Sequence, residues 1–120
     1  MVKRYIPGKG DIYWVDPNPT EGHEMKNMHP YVVITPKEIN QLGVSMTVPV
    51  TSGGKFLREM GLAVPLSGSQ TSGVAVCNQI RSFDLEERVK QGTAKYIETL
   101  DQVLVNLIID RVISVIDPME

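Results

Sequence analysis

Two histidines, one cysteine and a scatter of hydroxyls, amides and cations are the side chains of this 120-residue chain that could do chemistry. His23 and His29 both fall in the polar stretch between Val15 and Tyr31, too long for a tight hairpin, and such loops often carry binding and catalytic groups. Imidazole exchanges a proton near neutral pH, so either could serve as acid or base; each also reads, by residue type alone, as a solvated loop residue. Thr51-Ser52-Gly53-Gly54 follows an apolar run ending at Val50, and Ser-Gly-Gly explains a turn there while Thr51 and Ser52 offer hydroxyls. Lys55, Phe56 and Arg58 come next, two cations around an aromatic face. Asn78, Gln79 and Arg81 end a second apolar run, whose alternation would put Asn78 and Ile80 on one face and Gln79 and Arg81 on the other. Amides read base edges and a guanidinium pairs with phosphate, so these residue types suit an anionic, base-bearing ligand. Cys77, His23 and His29 are zinc-ligand types, but no ligand spacing supports a site, and Cys77 lies in an apolar run where buried thiols are common.

The elements that must position these groups are those of one ordinary domain, 1–120. Hydrophobic residues make up 42% and charged residues 22%, far from the composition of disordered chains. A chain of this length buries roughly two-thirds of its unfolded surface, enough for one core. A single cysteine cannot form an internal disulfide, and the first residues lack the apolar stretch of a secretory signal, so the cytosol is the expected compartment. Val103 to Ile116 is interrupted by Asn106, Asp110 and Arg111 and fails as a membrane span. The net charge of −2 announces no global nucleic-acid binder, so any such site must be local.

Short β-branched or alternating runs recur at Asp11–Val15, Tyr31–Ile34, Ser45–Val50, Leu62–Leu66, Val74–Cys77 and Arg81–Phe83, each bounded by Gly, Pro, Asn or Ser. They predict a small, strongly bent antiparallel sheet or barrel. Thr35-Pro36 followed by Glu38 predicts a capping box and a short helix from Pro36 to Gln41. Asp84 with Glu87 predicts a second helix ended by Gly92. A long C-terminal helix should start from a Thr99/Gln102 capping box. Leu100, Val103, Leu104, Leu107, Ile108, Val112 and Val115 form one apolar face, and Val105, Ile109, Ile113 and Ile116 a second, so the helix should be buried on two sides, one by the domain's own sheet and the other by more of the same chain or by a partner.

Four segments in fixed order, GDIYWVDPNPTEGHE (Gly10–Glu24), HPYVVITP (His29–Pro36), VPVTSGGKF (Val48–Phe56) and GVAVCNQIRSFD (Gly73–Asp84), resemble the MazF/PemK/ChpB toxins, most closely the Kid/PemK branch. Each is short, but together they span about two-thirds of the chain. The resemblance implies an SH3-like, CcdB-like antiparallel barrel, mainly β with short helices and a long C-terminal helix. It further implies a homodimer whose groove takes single-stranded RNA and, in competition, the tail of a cognate antitoxin. DNA would be met only through the antitoxin complex, and no membrane is involved. The implied activity is sequence-selective cleavage of RNA by its own 2′-hydroxyl, leaving a 2′,3′-cyclic phosphate and a 5′-hydroxyl, with no metal or other cofactor.

Such a site must remove one proton, steady the charge growing on phosphorus and protonate the leaving oxygen. By the resemblance His23 reaches the RNA backbone and is the first candidate to accept the 2′-hydroxyl proton. Glu24 is the acidic residue near the site, and Thr51, with Ser52 beside it, contacts the reacting phosphate. Phe56 would stack a base, and Asn78, Gln79 and Arg81 would bind substrate. His29 stands where the family has an arginine that braces the scissile phosphate. Pro30 forces it into an extended conformation, and as an imidazole it has fewer donors and no permanent charge. As a cationic clamp it would make cleavage fall as pH rises above neutrality. Val76 and Asn78 replace the Kid-like branch's arginine and aspartate, so that branch's acid–base scheme does not carry over. Two other readings stay open: a non-cleaving gyrase poison on the same barrel, whose C-terminal Trp-Gly-Ile tail is absent here, and an attenuated form that binds RNA or antitoxin.

Overall fold

Tyr31, Val32 and Val33 are apolar at successive positions, the pattern of a strand covered on both faces. In the computed structural model, which describes residues 5–53, 59–67 and 70–118, all three are fully buried. They belong to β2 (His29–Val33), which lies between β1 (Asp11–Val15) and β3 (Ser45–Thr51). The chain then adds β4 (Ala63–Leu66), β5 (Gly73–Val76), β6 (Arg81–Phe83) and β7 (Ala94–Thr99), with helices α1 (Lys37–Asn40) before β3, α2 (Leu85–Gln91) before β7 and α3 (Gln102–Ile116) at the end. Among the described residues this makes a seven-stranded antiparallel sheet in the order β4-β5-β3-β2-β1-β7, with β6 also on β3. The expected bent, barrel-like α+β fold is the one found.

The bend comes from β3, which changes partner along one edge. Its first half pairs with β6 (Ser45↔Phe83, Thr47↔Arg81) and its end with β5 (Val50↔Ala75, Thr51↔Val74), while β2 holds the other edge. Pro49, which has no N–H to give to a ladder, stands where the change occurs.

Alternation along the central strands feeds two cores. Ile12, Val32, Val48 and Val50 face Val105, Ile108 and Val112 of α3, while Tyr13, Val15, Tyr31 and Val33 face Phe83 and Leu85, where α2 begins. Each of the three α3 side chains contributes about 1.5–3 kcal/mol by burial. In the single chain only this face of the helix is covered, and Val103, Leu107, Ile113 and Ile116 are exposed, the side for which cover from elsewhere was expected.

Local starts and stops were legible where the caps are local. The Asp84 carboxylate accepts from the Glu87 N–H and Gly92 ends α2 with φ 79°, as its sequence predicts. The other two capping boxes are not used. Pro36 is the N-cap of α1 with no side-chain bond, because the Thr35 hydroxyl donates instead to buried Asn40 at 2.6 Å. Asp101 caps α3, because Thr99 closes β7 and its hydroxyl donates to Asp11 at 2.8 Å. Strand β7 itself was not among the expected strands. It completes the sheet beside β1, with a register shift opposite Ile12 and Tyr13.

Candidate active site

His29 opens β2 and Thr51 closes β3. β2 and β3 pair Tyr31↔Pro49, Val32↔Val48 and Val33↔Thr47; continued in the same register, this sets His29 opposite Thr51, a spacing at which side chains on neighbouring strands can touch. The His29 Nδ1 lies 3.2 Å from the Val50 carbonyl, the residue just before Thr51. Both side chains are half-buried. Pro30 favours the extended conformation that makes His29 the first residue of the strand.

Thr51 is held from the other side by β5. Gly73 has φ 123°, a region disfavoured for residues with a Cβ, and a Cβ built there would be driven into the Thr51 carbonyl oxygen. The glycine lets two strands approach where Thr51 ends its own.

Asp16 to Met28 forms the loop over this end of the sheet, and side chains from β6 and α2 brace it. Arg81 donates to the Pro17 carbonyl at 3.1 Å and Arg88 to the Asp16 carbonyl at 2.7 Å, and both guanidiniums sit over the Phe83 ring, at 5.1 and 4.5 Å. Gln79 Nε2 donates to the His23 carbonyl at 3.1 Å. The Glu24 carboxylate accepts from the Glu21 N–H at 2.7 Å and so closes its own turn. Two arginine braces and one amide thus bring His23 and Glu24, both exposed, to the side of the sheet that carries Arg81 and Gln79.

The expected alternation through Asn78 and Gln79 does not hold. β5 ends at Val76, and Cys77 and Asn78 form a turn before β6. Asn78 is exposed, while Gln79 and Arg81 spend donors on the loop. Ser52 is exposed after β3. Phe56, with Lys55 and Arg58, lies outside the described residues. Cys77 is fully buried in the core and not in the loop cluster, and burial pushes its thiol up to about 11. Among the described residues no group of three or more His, Cys, Asp or Glu is placed to hold a metal, and no helix is long and apolar enough to cross a membrane.

Three residues that type and spacing did not single out shape this end of the molecule. Arg88 and Asp16 anchor the loop. Tyr31 packs edge-on against Phe83 at 5.0 Å, its hydroxyl buried and without a hydrogen-bond partner in the described structure. Burial raises the Tyr31 pKa, and the charges of Arg81 and Arg88 pull against that rise. The only sequence signal for Tyr31 was its place in an apolar run, which says core and not site.

The sequence from residue 8 to residue 116 matches the family described as PemK-like, MazF-like toxin of type II toxin-antitoxin system. The chain is 34% identical over 111 residues to endoribonuclease PemK of Escherichia coli, covering 90% of this chain and 80% of that one. It is 38% identical over 92 residues to the endoribonuclease toxin ChpB of Escherichia coli K12, covering 74% and 79%. Among solved structures it is similar to MazF of Deinococcus radiodurans, with a TM-score of 0.80 at 25% identity over 94% of this chain and 98% of that one. The MazE–MazF complex from the same organism gives a TM-score of 0.74, also at 25% identity, over 94% and 97%.

Proposed function

The chain belongs to the PemK-like, MazF-like toxins of type II toxin-antitoxin systems, and on that footing we propose that it is an endoribonuclease toxin that cuts single-stranded RNA. The reaction is attack by the 2′-hydroxyl on the adjacent phosphorus, leaving a 2′,3′-cyclic phosphate and a 5′-hydroxyl. RNA brings its own nucleophile, so side chains suffice to move the protons and steady the charge. The observation that carries this reading is the contact of His29 with the Val50 carbonyl, which sets the imidazole beside the strand end that Thr51 closes, near a loop that Gln79 and Arg81 hold in place.

In this reading the Thr51 hydroxyl donates to the scissile phosphate and Ser52 extends the contact. His29 and His23 are the groups that exchange protons. Glu24, Asn78, Gln79, Arg81 and Phe56 bind the strand on either side of the cut, the amides at base edges and the cation at phosphate. A homodimer forms the full groove, and the tail of a cognate antitoxin occupies it when the toxin is silent. The similar structures include a MazE–MazF complex.

Incubating the purified protein with a long RNA in EDTA and mapping the new 5′ ends tests the reading directly. Discrete cuts at a short common sequence, each with a 5′-hydroxyl, are expected. Intact RNA, or cleavage that needs added metal, would remove it.

A further inference from the structure

The hydrogen bond between His29 and Val50 decides more than where the ring sits. A carbonyl oxygen only accepts, so the Nδ1 that lies 3.2 Å from it must carry the hydrogen. Neutral imidazole has one N–H; with that hydrogen on Nδ1, the lone pair is on Nε2, on the far side of the ring from β3. His29 has no second hydrogen-bond partner among the described residues. The backbone of β3 therefore holds a half-buried imidazole in the tautomer whose outward nitrogen is a base. The next residue of that strand is Thr51, the proposed phosphate contact, so substrate and base are positioned by consecutive residues of one strand.

We propose that His29 is the general base of the cleavage, made so by the Val50 carbonyl, and not a cationic clamp on the phosphate; this rests on the ribonuclease reading above. Nε2 takes the proton of the 2′-hydroxyl, and the oxygen's electron pair forms the bond to phosphorus. The bond from phosphorus to the 5′-oxygen breaks, its electron pair leaving on that oxygen, which a water molecule protonates. The imidazolium returns its proton to the hydroxide left behind, and the balance closes. Among the described residues His23 has no comparable anchor: it is exposed, and its backbone carbonyl, not its ring, is held by Gln79. A base kept in one orientation loses less entropy on reaching the transition state than one on a free loop side chain. The ionisable side chains on the elements around His29 are Asp11 and Tyr13 on β1, Asp16, Glu21, His23, Glu24 and Lys26 in the loop before it, Tyr31 on β2, Lys95, Tyr96 and Glu98 on β7 beyond β1 and Arg81 on β6. β3 and β5, along the His29–Thr51 edge, bring none.

The pH profile of a base is the reverse of a clamp's. Single-turnover cleavage of one short RNA should rise from pH 5.5 and level off above neutrality. His29→Arg and His29→Asn should both lose on the order of 100-fold or more at pH 8, the usual scale of general-base catalysis, and lose the acid limb with it. Nitrogen-15 spectra of the imidazole rings at pH 8 should show His29 with hydrogen on Nδ1, a readout that needs no activity. A wild-type rate that falls with rising pH, an arginine variant as fast as wild type, or hydrogen on Nε2 would each overturn the base while leaving the ribonuclease intact. RNA left uncut by the wild type at every pH would instead overturn the ribonuclease reading, and the base with it.

Discussion

At the scale of single residues, the polar groups near the loop divide into those with open valences and those already engaged. Thr51 is half-exposed at a strand end, so Thr51→Ala should leave the unfolding midpoint unchanged and slow RNA cleavage by roughly ten- to a hundredfold, the worth of one contact to a charged group. Arg81 is different, because its guanidinium holds Pro17 and covers Phe83. Arg81→Ala should cost about 1–3 kcal/mol in urea unfolding as well as activity; an activity loss with no stability loss would mean the brace is idle. Cys77 makes a separate prediction. Its thiol is moved from 9.0 up to about 11 by burial, so the folded state binds a proton that the unfolded state has lost. The stability it contributes is complete below pH 9 and is lost as pH rises through about 11. Denaturation of the wild type and Cys77→Ala across pH 8 to 11 should show the gap between them shrinking toward the alkaline end, and a thiol reagent should leave the native protein unlabelled at pH 8.

At the scale of elements, the site depends on how closely β5 lies against the end of β3. Gly73→Ala puts a methyl group where the Thr51 carbonyl stands and asks alanine to hold a φ of 123°. The expected result is a loss of about 1–3 kcal/mol and a fall in kcat larger than that of a substitution at exposed Ser72, because Thr51 must shift. Equal rates for the two variants would show that the strand end tolerates the displacement. The helices are more forgiving. Asp84 caps α2 through one bond to Glu87, worth about 1 kcal/mol, and anchors nothing in the loop.

At the scale of the molecule, the feature left over is the outer side of α3. Its Val105, Ile108 and Val112 are spent on the core, while Val103 is 68% and Leu107 49% exposed in the single chain. Apolar side chains displayed along one helix fit the proposed homodimer. Sedimentation at micromolar concentration should give a dimer, and the double substitution Leu107→Glu, Ile113→Glu should shift it to monomer with unchanged far-ultraviolet dichroism. A wild type that sediments as a monomer would count against the dimer and against any groove built from two copies.

The sequence by itself determined the pieces whose causes are local. Alternation placed β1 and β6 at their observed bounds, an Asp–Glu cap and a glycine stop bounded α2, and four motifs carried the family. His29 and Thr51 were legible as candidates, since Pro30 and the Ser-Gly-Gly turn mark strand ends. What the tertiary structure decided was every matter that depends on a partner distant in the chain. Thr35 and Thr99 have the spacing of helix caps, but Asn40 and Asp11 compete for their hydroxyls and win. The run Ala94–Thr99 became a strand because β1 offered an open edge. Gln79 and Arg81 read as free donors until the fold set two carbonyls of the loop against them. Which nitrogen of His29 carries the hydrogen is a property of the Val50 carbonyl, 21 residues away in sequence and 3.2 Å away in space, because a tautomer is chosen by the neighbour it bonds.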